Sequence, residues 1–216
     1  MKKIILTLAL IAIPVSSILA NKLNTKDNLN TSKVLNKDSQ VEDFFKSESF
    51  SKISKNFNVE KENFDLKNVE IIKADDSSNL VRIQVINGLS VDYLMLLPDN
   101  TAIYEKTLLS DDGEGNIEQY DENGVIIARF NVEKKDGKFN VTLSYVNSFA
   151  VFGGQAECVK KTYDYIKSTC DKNTTCSISC DLSPQCAVIM YGVAIAHCAA
   201  SGNKPAKLTA SIEQAY

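Results

Sequence analysis

Cysteine is absent from the first 157 residues of this 216-residue chain, and all six cysteines fall in the last fifty-nine. Histidine occurs once, as His197, beside Cys198. With no histidine elsewhere, neither a multi-histidine metal site nor a Ser-His-Asp hydrolase is expected. A Cys198–His197 nucleophile pair is also disfavoured, since neighbours on a helix point about 100° apart. Arginine is confined to Arg82 and Arg129, which reads as compositional bias of the source. The formal charge of −3 and pI near 5.3 leave no broad basic surface, so no nucleic-acid partner is expected. No convergent set of catalytic polar residues is evident, so the chain reads as a non-enzyme without a cofactor.

Long apolar runs are lacking too. Ile4–Ile13 follows the basic Lys2 and Lys3 and is broken by Pro14, with Val15, Ser16, Ser17 and Ala20 beyond it. That order is a secretory signal peptide over 1–20, with Ala20 a candidate processing site. The run is shorter than the ~20 residues of a membrane span. No cysteine follows it, which excludes a lipoprotein anchor. A secreted, extracellular chain is expected, in which six cysteines form three disulfides.

Residues 21–40 are Asn, Lys, Ser, Thr and Asp with isolated leucines, and read as a flexible linker. Val41, Phe44, Phe45, Phe50 and Ile53 then recur near helical spacing and predict a short amphipathic helix, capped by Asp38 or Ser39. From Asn68 the pattern turns to strands: 69–73, 80–86, 91–97, 102–107, 117–120, 125–132 and 139–146, parted by turn residues. Asn123-Gly124 and Asp136-Gly137 are hairpin signals. Along 81–86, Val81, Ile83 and Val85 face one way while Arg82, Gln84 and Ile86 face the other. The fold class is α+β: an antiparallel β-meander with a short helix, followed by a small disulfide-stapled α-helical hairpin.

In the tail, 157–169 is amphipathic, 171–185 is polar and reads as turn-rich, and 187–200 is almost wholly apolar. Ser183 and Pro184 suit the start of the last helix, and Gly202 its end. Cys158, Cys170, Cys176, Cys180, Cys186 and Cys198 are separated by eleven, five, three, five and eleven residues, a palindrome about Ile178. Six cysteines allow 15 connectivities. Folding the tail about Ile178 predicts Cys158–Cys198, Cys170–Cys186 and Cys176–Cys180. Zinc is disfavoured, because no Cys-x-x-Cys pair is present and the compartment favours oxidation. Asp112, Glu114, Asn116 and Glu118 alternate like the early ligands of a calcium loop, but Asn123 stands where its closing glutamate belongs, so a solvated hairpin loop is expected.

Cys176-Ser-Ile-Ser-Cys180, then Cys186, then a long apolar gap to Cys198 is similar to the mature peptides of the halocin-type bacteriocin precursors. The resemblance covers about the last sixty residues and the overall layout of signal peptide, cysteine-free body and cysteine-rich tail. It implies an exported, processed precursor whose C-terminal peptide kills related cells and whose N-terminal part can act as an immunity partner.

The expected domains are 1–20 signal peptide, 21–40 linker, 41–152 β-rich pro- or immunity-like domain, and 155–216 cysteine-rich helical peptide. Gly153, Gly154 and Ala156 are candidate processing positions for a protease at the junction. The peptide carries six lysines against five acids, so any membrane action is mainly hydrophobic. Val188, Ile189, Met190, Tyr191, Val193 and Ile195 are the membrane-active candidates. Expected partners are a target-cell membrane or membrane receptor, with the N-terminal domain shielding the peptide beforehand. The alternative is an uncleaved secreted binding or structural protein with a C-terminal disulfide domain.

Overall fold

A computed structural model of the chain describes residues 32–73, 79–87, 90–97, 100–147 and 155–201. The signal segment 1–20 with Ala20, linker residues 21–31, Gly153, Gly154, Gly202 and the residues after it lie outside these. Helices α1 (Ser32–Phe45) and α2 (Glu48–Phe57) and a single 3-10 turn (Lys61–Asn63) precede the sheet. The seven strands are β1 (Glu70–Lys73), β2 (Asn79–Asn87), β3 (Ser90–Leu96), β4 (Ala102–Leu109), β5 (Gly115–Tyr120), β6 (Ile126–Lys135) and β7 (Lys138–Val146). Helices α3 (Ala156–Lys172), α4 (Thr174–Leu182) and α5 (Gln185–Ala200) follow.

All seven expected strands form, in sequential antiparallel order from β1 to β7. Turn chemistry places the hairpins. Asp136 and Gly137 both adopt positive φ, 53° and 78°, the two-residue turn that matches the twist of β6 and β7. Asp121 closes the β5–β6 loop, its Oδ1 accepting from the backbone N–H of Asn123 at 2.9 Å and of Val125 at 2.8 Å.

Both faces of the sheet are covered. The residues opposite each other in the ladder share a face: Ile72 with Leu80, Met95 with Ile103, Ile117 with Phe130. These pack against α3, α4 and α5 in one apolar core. On the other face Val81, Ile83, Val85, Leu94, Leu96 and Tyr104 meet Val41, Phe44, Ile53, Val59 and Phe64 in a second core. One sheet thus separates an N-terminal from a C-terminal helical layer.

The amphipathic helix foreseen near 41–53 is two helices, and its start differs. Neither Asp38 nor Ser39 caps it, because helix α1 takes in 32–40, the stretch read as linker. Val41 and Phe44 anchor its far end on the sheet, and extending a formed helix costs little per residue. The break falls at Ser47, whose Oγ accepts from the Phe50 N–H at 3.2 Å and caps α2. The helical hairpin of α3 and α5 is present, with α4 at its tip where a turn-rich stretch was expected. Asn173 reads as a turn residue but caps α4, accepting from the Cys176 N–H at 3.2 Å. Ser183 does not cap α5 with its side chain; Pro184 stands at that position in helical conformation, and Ser183 ends α4.

Candidate functional site

Helix α5 has no polar face, and the fold buries most of it, leaving Gln185, Val193, His197 and Ala199 half-buried. Of the residues singled out for membrane action, Val188, Ile189, Met190, Tyr191 and Ile195 are buried, and Val193 is half-buried against the same core. Tyr191 stands edge-on to Phe130 of the sheet and to Tyr163 of α3, both at 5.6 Å between ring centres. Burial pushes the Tyr163 hydroxyl up to about 12 and holds that of Tyr191 well above the usual phenol value. Gly192 lets the helix approach closely: a Cβ there would lie 2.9 Å from Met95 Sδ.

Three disulfides hold this layer. Cys158–Cys198 joins the start of α3 to the end of α5, as the palindrome predicts. The inner two pairs are corrected: they are Cys170–Cys176 and Cys180–Cys186, not Cys170–Cys186 and Cys176–Cys180. The cause is α4. Cys176 and Cys180 lie four apart on one helix, where Cβ atoms stand about 5–6 Å from each other. A disulfide needs about 3.5–4.5 Å. The chain turns at Asn173, bringing Cys170 in the last turn of α3 to Cys176 in the first turn of α4, with Cα atoms 5.2 Å apart. It turns again at Ser183-Pro184, bringing Cys180 to Cys186 at 5.0 Å. The symmetry about Ile178 survives, with two short mirror-image bridges inside one long one. Three disulfides are consistent with an extracellular protein.

Beneath the first turn of α5 lies a buried charge centre that the sequence pattern did not reveal. Arg82 of β2 is 3 % exposed and Glu105 of β4 is fully buried. The Arg82 Nη2 stands 3.1 Å from Glu105 Oε1, and Nη1 stands 3.3 Å from Glu70 Oε2. The guanidinium lies 3.4 Å over the Tyr93 ring. Nη2 also donates to Gln185 Oε1 of α5 at 2.8 Å, and Gln119 Nε2 reaches the Val188 carbonyl at 3.5 Å. Burial raises the Glu105 carboxyl above the usual range despite the opposing pull of Arg82. Burial, the largest influence, works against the Arg82 charge, but Glu105, Tyr93 and Glu70 together outweigh it and raise the guanidinium above its usual value. Arg82 Nε, Glu105 Oε2, Thr107 Oγ1 and Gln119 Oε1 are buried without a protein partner, so the centre is polar beyond its ion pairs. Its chemistry is recognition: it reads one side chain and one carbonyl of the helix laid upon it. Alternation assigned Arg82 to the face opposite Val81, Ile83 and Val85, and that face is the one the tail covers. The usable signal was the rarity of arginine together with Glu105 directly following the apolar run Ala102, Ile103 and Tyr104.

The remaining sequence candidates scatter. His197 is half-buried and Cys198 is in a disulfide, so they form no nucleophile pair. Asp112 sits in the β4–β5 turn, accepting from the Ser110 hydroxyl and from the Glu114 N–H at 3.3 Å. Glu118 pairs with Arg129 at 2.6 Å and accepts from the Tyr120 hydroxyl, while Asn123 belongs to the next turn. The four alternating residues therefore serve a turn and a ladder, as expected of a hairpin. The sulfurs of Cys170, Cys180 and Cys186 lie within 4.8 Å of one another, but all three are oxidised and offer no thiolate to a metal. Ala156 is the half-buried first residue of α3. Among the described residues no single helix is long and apolar enough to cross a membrane; α4 and α5 together pass by composition but are bent by 116°.

The fold and site define an α+β protein in which a seven-stranded meander carries a disulfide-stapled, largely apolar helical layer. Comparison with known protein families, curated proteins and solved structures finds no match.

Proposed function

We propose that this chain is a secreted bacteriocin-like precursor, in which the sheet keeps the helical layer from Gln155 onward covered until proteolysis near the junction lets it act on membranes of competing bacteria. The observation that carries this is α5, a helix apolar on every side that is stable in water only while something covers it. Covering five large side chains, Val188, Ile189, Met190, Tyr191 and Ile195, is worth about 1.5–3 kcal/mol each. A cut alone therefore leaves the two parts associated, and a bilayer has to take the place of the sheet. At 16 residues α5 is about 24 Å long, short of the ~30 Å hydrocarbon core, so the released layer disrupts a membrane rather than spanning it singly. The disulfides keep the peptide compact and resistant to further proteolysis.

A second reading is an uncleaved secreted binding or structural protein. The Arg82–Gln185 contact favours it, because a buried charge that reads the tail suits a permanent layer. Mass spectrometry of culture supernatant separates the two. A peptide starting between Gly154 and Glu157 supports the precursor, and intact mature chain alone supports the second reading. Leakage of dye from vesicles on adding the oxidised peptide at micromolar concentration tests the mechanism, and no leakage would refute membrane disruption.

A further inference from the structure

The two short bridges lie side by side. Cys170 Sγ, bonded to Cys176, stands 3.5 Å from Cys180 Sγ, which is bonded to Cys186. The Cys186 sulfur lies within 4.8 Å of both Cys170 and Cys180. Sulfurs of separate disulfides at that distance are in van der Waals contact, so a thiolate freed from one bridge needs only a side-chain rotation to come in line with the bond of the other. Their exposures differ as well. Cys170 and Cys186 are buried, whereas Cys176 and Cys180 are half-exposed on α4. An outside thiol therefore reaches Cys176 and Cys180 ahead of their buried partners, and attack at Cys176 sets free Cys170, whose sulfur touches the second bridge at Cys180.

We propose that this cluster is a thiol-exchange site whose substrate is a small thiol. The thiolate attacks Cys176 Sγ, forming a mixed disulfide there, and the Cys170–Cys176 bond breaks with its electron pair leaving on Cys170. The Cys170 thiolate then attacks Cys180 Sγ, forming Cys170–Cys180 and expelling Cys186 as thiolate. A second small thiol reduces the mixed disulfide at Cys176 and leaves with the first as their disulfide. The sum is one protein disulfide reduced to two thiols, at Cys176 and Cys186, and one small disulfide formed.

The exchange moves a tether. Before it, Cys180–Cys186 ties the end of α4 to the start of α5. After it, α4 is tied to α3 alone, and the first turn of α5 is held by the Arg82–Gln185 contact. Cys158–Cys198 still clasps the far end of α5. A small thiol thus loosens the beginning of the apolar helix without opening the layer. This holds whether or not the layer is ever cut from the sheet.

The Cys176→Ser variant tests the internal step in the full chain, because it leaves Cys170 free with no outside thiol needed. The folded variant is acid-quenched, unfolded and alkylated, and the labelled cysteine is located by mass spectrometry. Label shared between Cys170 and Cys186, with a Cys170–Cys180 linked fragment, is the expected result. Label on Cys170 alone, with Cys180–Cys186 intact, overturns the proposal. Native protein treated with millimolar reduced glutathione at pH 8 gives a second measure independent of that variant's folding. Cys176 and Cys186 should become alkylatable together while Cys158–Cys198 stays closed. Opening of all three bridges at one rate would overturn the relay.

Discussion

Replacing Cys158 and Cys198 together by alanine opens the one long loop of the helical layer and leaves no unpaired thiol to exchange with the other bridges. The sequence separation is 40 for this pair and 6 for each short bridge. Loop-closure entropy then gives about 4 kcal/mol of stabilisation for the long bridge and about 2.2 kcal/mol for a short one. Packing adds in the same direction. Cys198 is fully buried with its sulfur 3.6 Å from Thr162 Oγ1, whereas Cys176 is half-exposed. For a chain of this size each kcal/mol moves the melting midpoint by about 2–4 °C. The double alanine variant should therefore melt about 8–16 °C below the parent, and the Cys170→Ala/Cys176→Ala variant about 4–9 °C below. Thermal unfolding followed by circular dichroism, with urea midpoints as a second axis, measures both. If the short-bridge variant loses as much as the long-bridge one, the tail is not held as a single closed layer, and the reasoning fails.

Other perturbations address the cores and the charge centre. Glu105 has its carboxyl raised in the folded state, so its contribution is full below the unfolded carboxylate pKa and is lost as pH rises through the folded value. Glu105→Gln should accordingly gain on the parent as pH climbs above the usual carboxylate range, and urea midpoints showing the gap moving the other way would count against that sign. Gly192→Val drives a branched side chain into Met95, where even a Cβ lies 2.9 Å from the sulfur, and should cost about 1–3 kcal/mol by equilibrium unfolding. Ser47→Ala removes the cap of α2 and should cost about 1 kcal/mol, with native-state hydrogen exchange rising first at the N–H of Phe50.

The strands were legible because their limits are written in turn residues that act locally. Asp136-Gly137 takes a conformation few other dipeptides adopt, and the apolar alternation on either side needs no knowledge of the rest of the chain. The misses share the opposite character. Asn173 carries the same preference whether it turns a loop or caps a helix, so the polar run about it concealed α4. The inner disulfides followed from that error, since only a helix through Cys176 and Cys180 makes their pairing impossible. Arg82 is flanked on its strand by Val81 and Ile83 and meets its partner Gln185 103 positions further along. Its role depends on what covers the sheet, and local alternation carries no record of that.

The placement of helices at opposite ends of the chain has a consequence for the order in which the molecule comes together. Delivered N-terminus first, the chain can lay α1 and α2 on one side of the meander while the side carrying Met95, Ile103 and Phe130 is still bare. That side waits for the last-made segment, which also holds all six cysteines. Oxidation therefore comes at the end of assembly, on a template already formed, with Arg82 in position to receive Gln185. A half-finished chain carries no cysteine with which to form a wrong bond, and its one hazard is an uncovered apolar sheet.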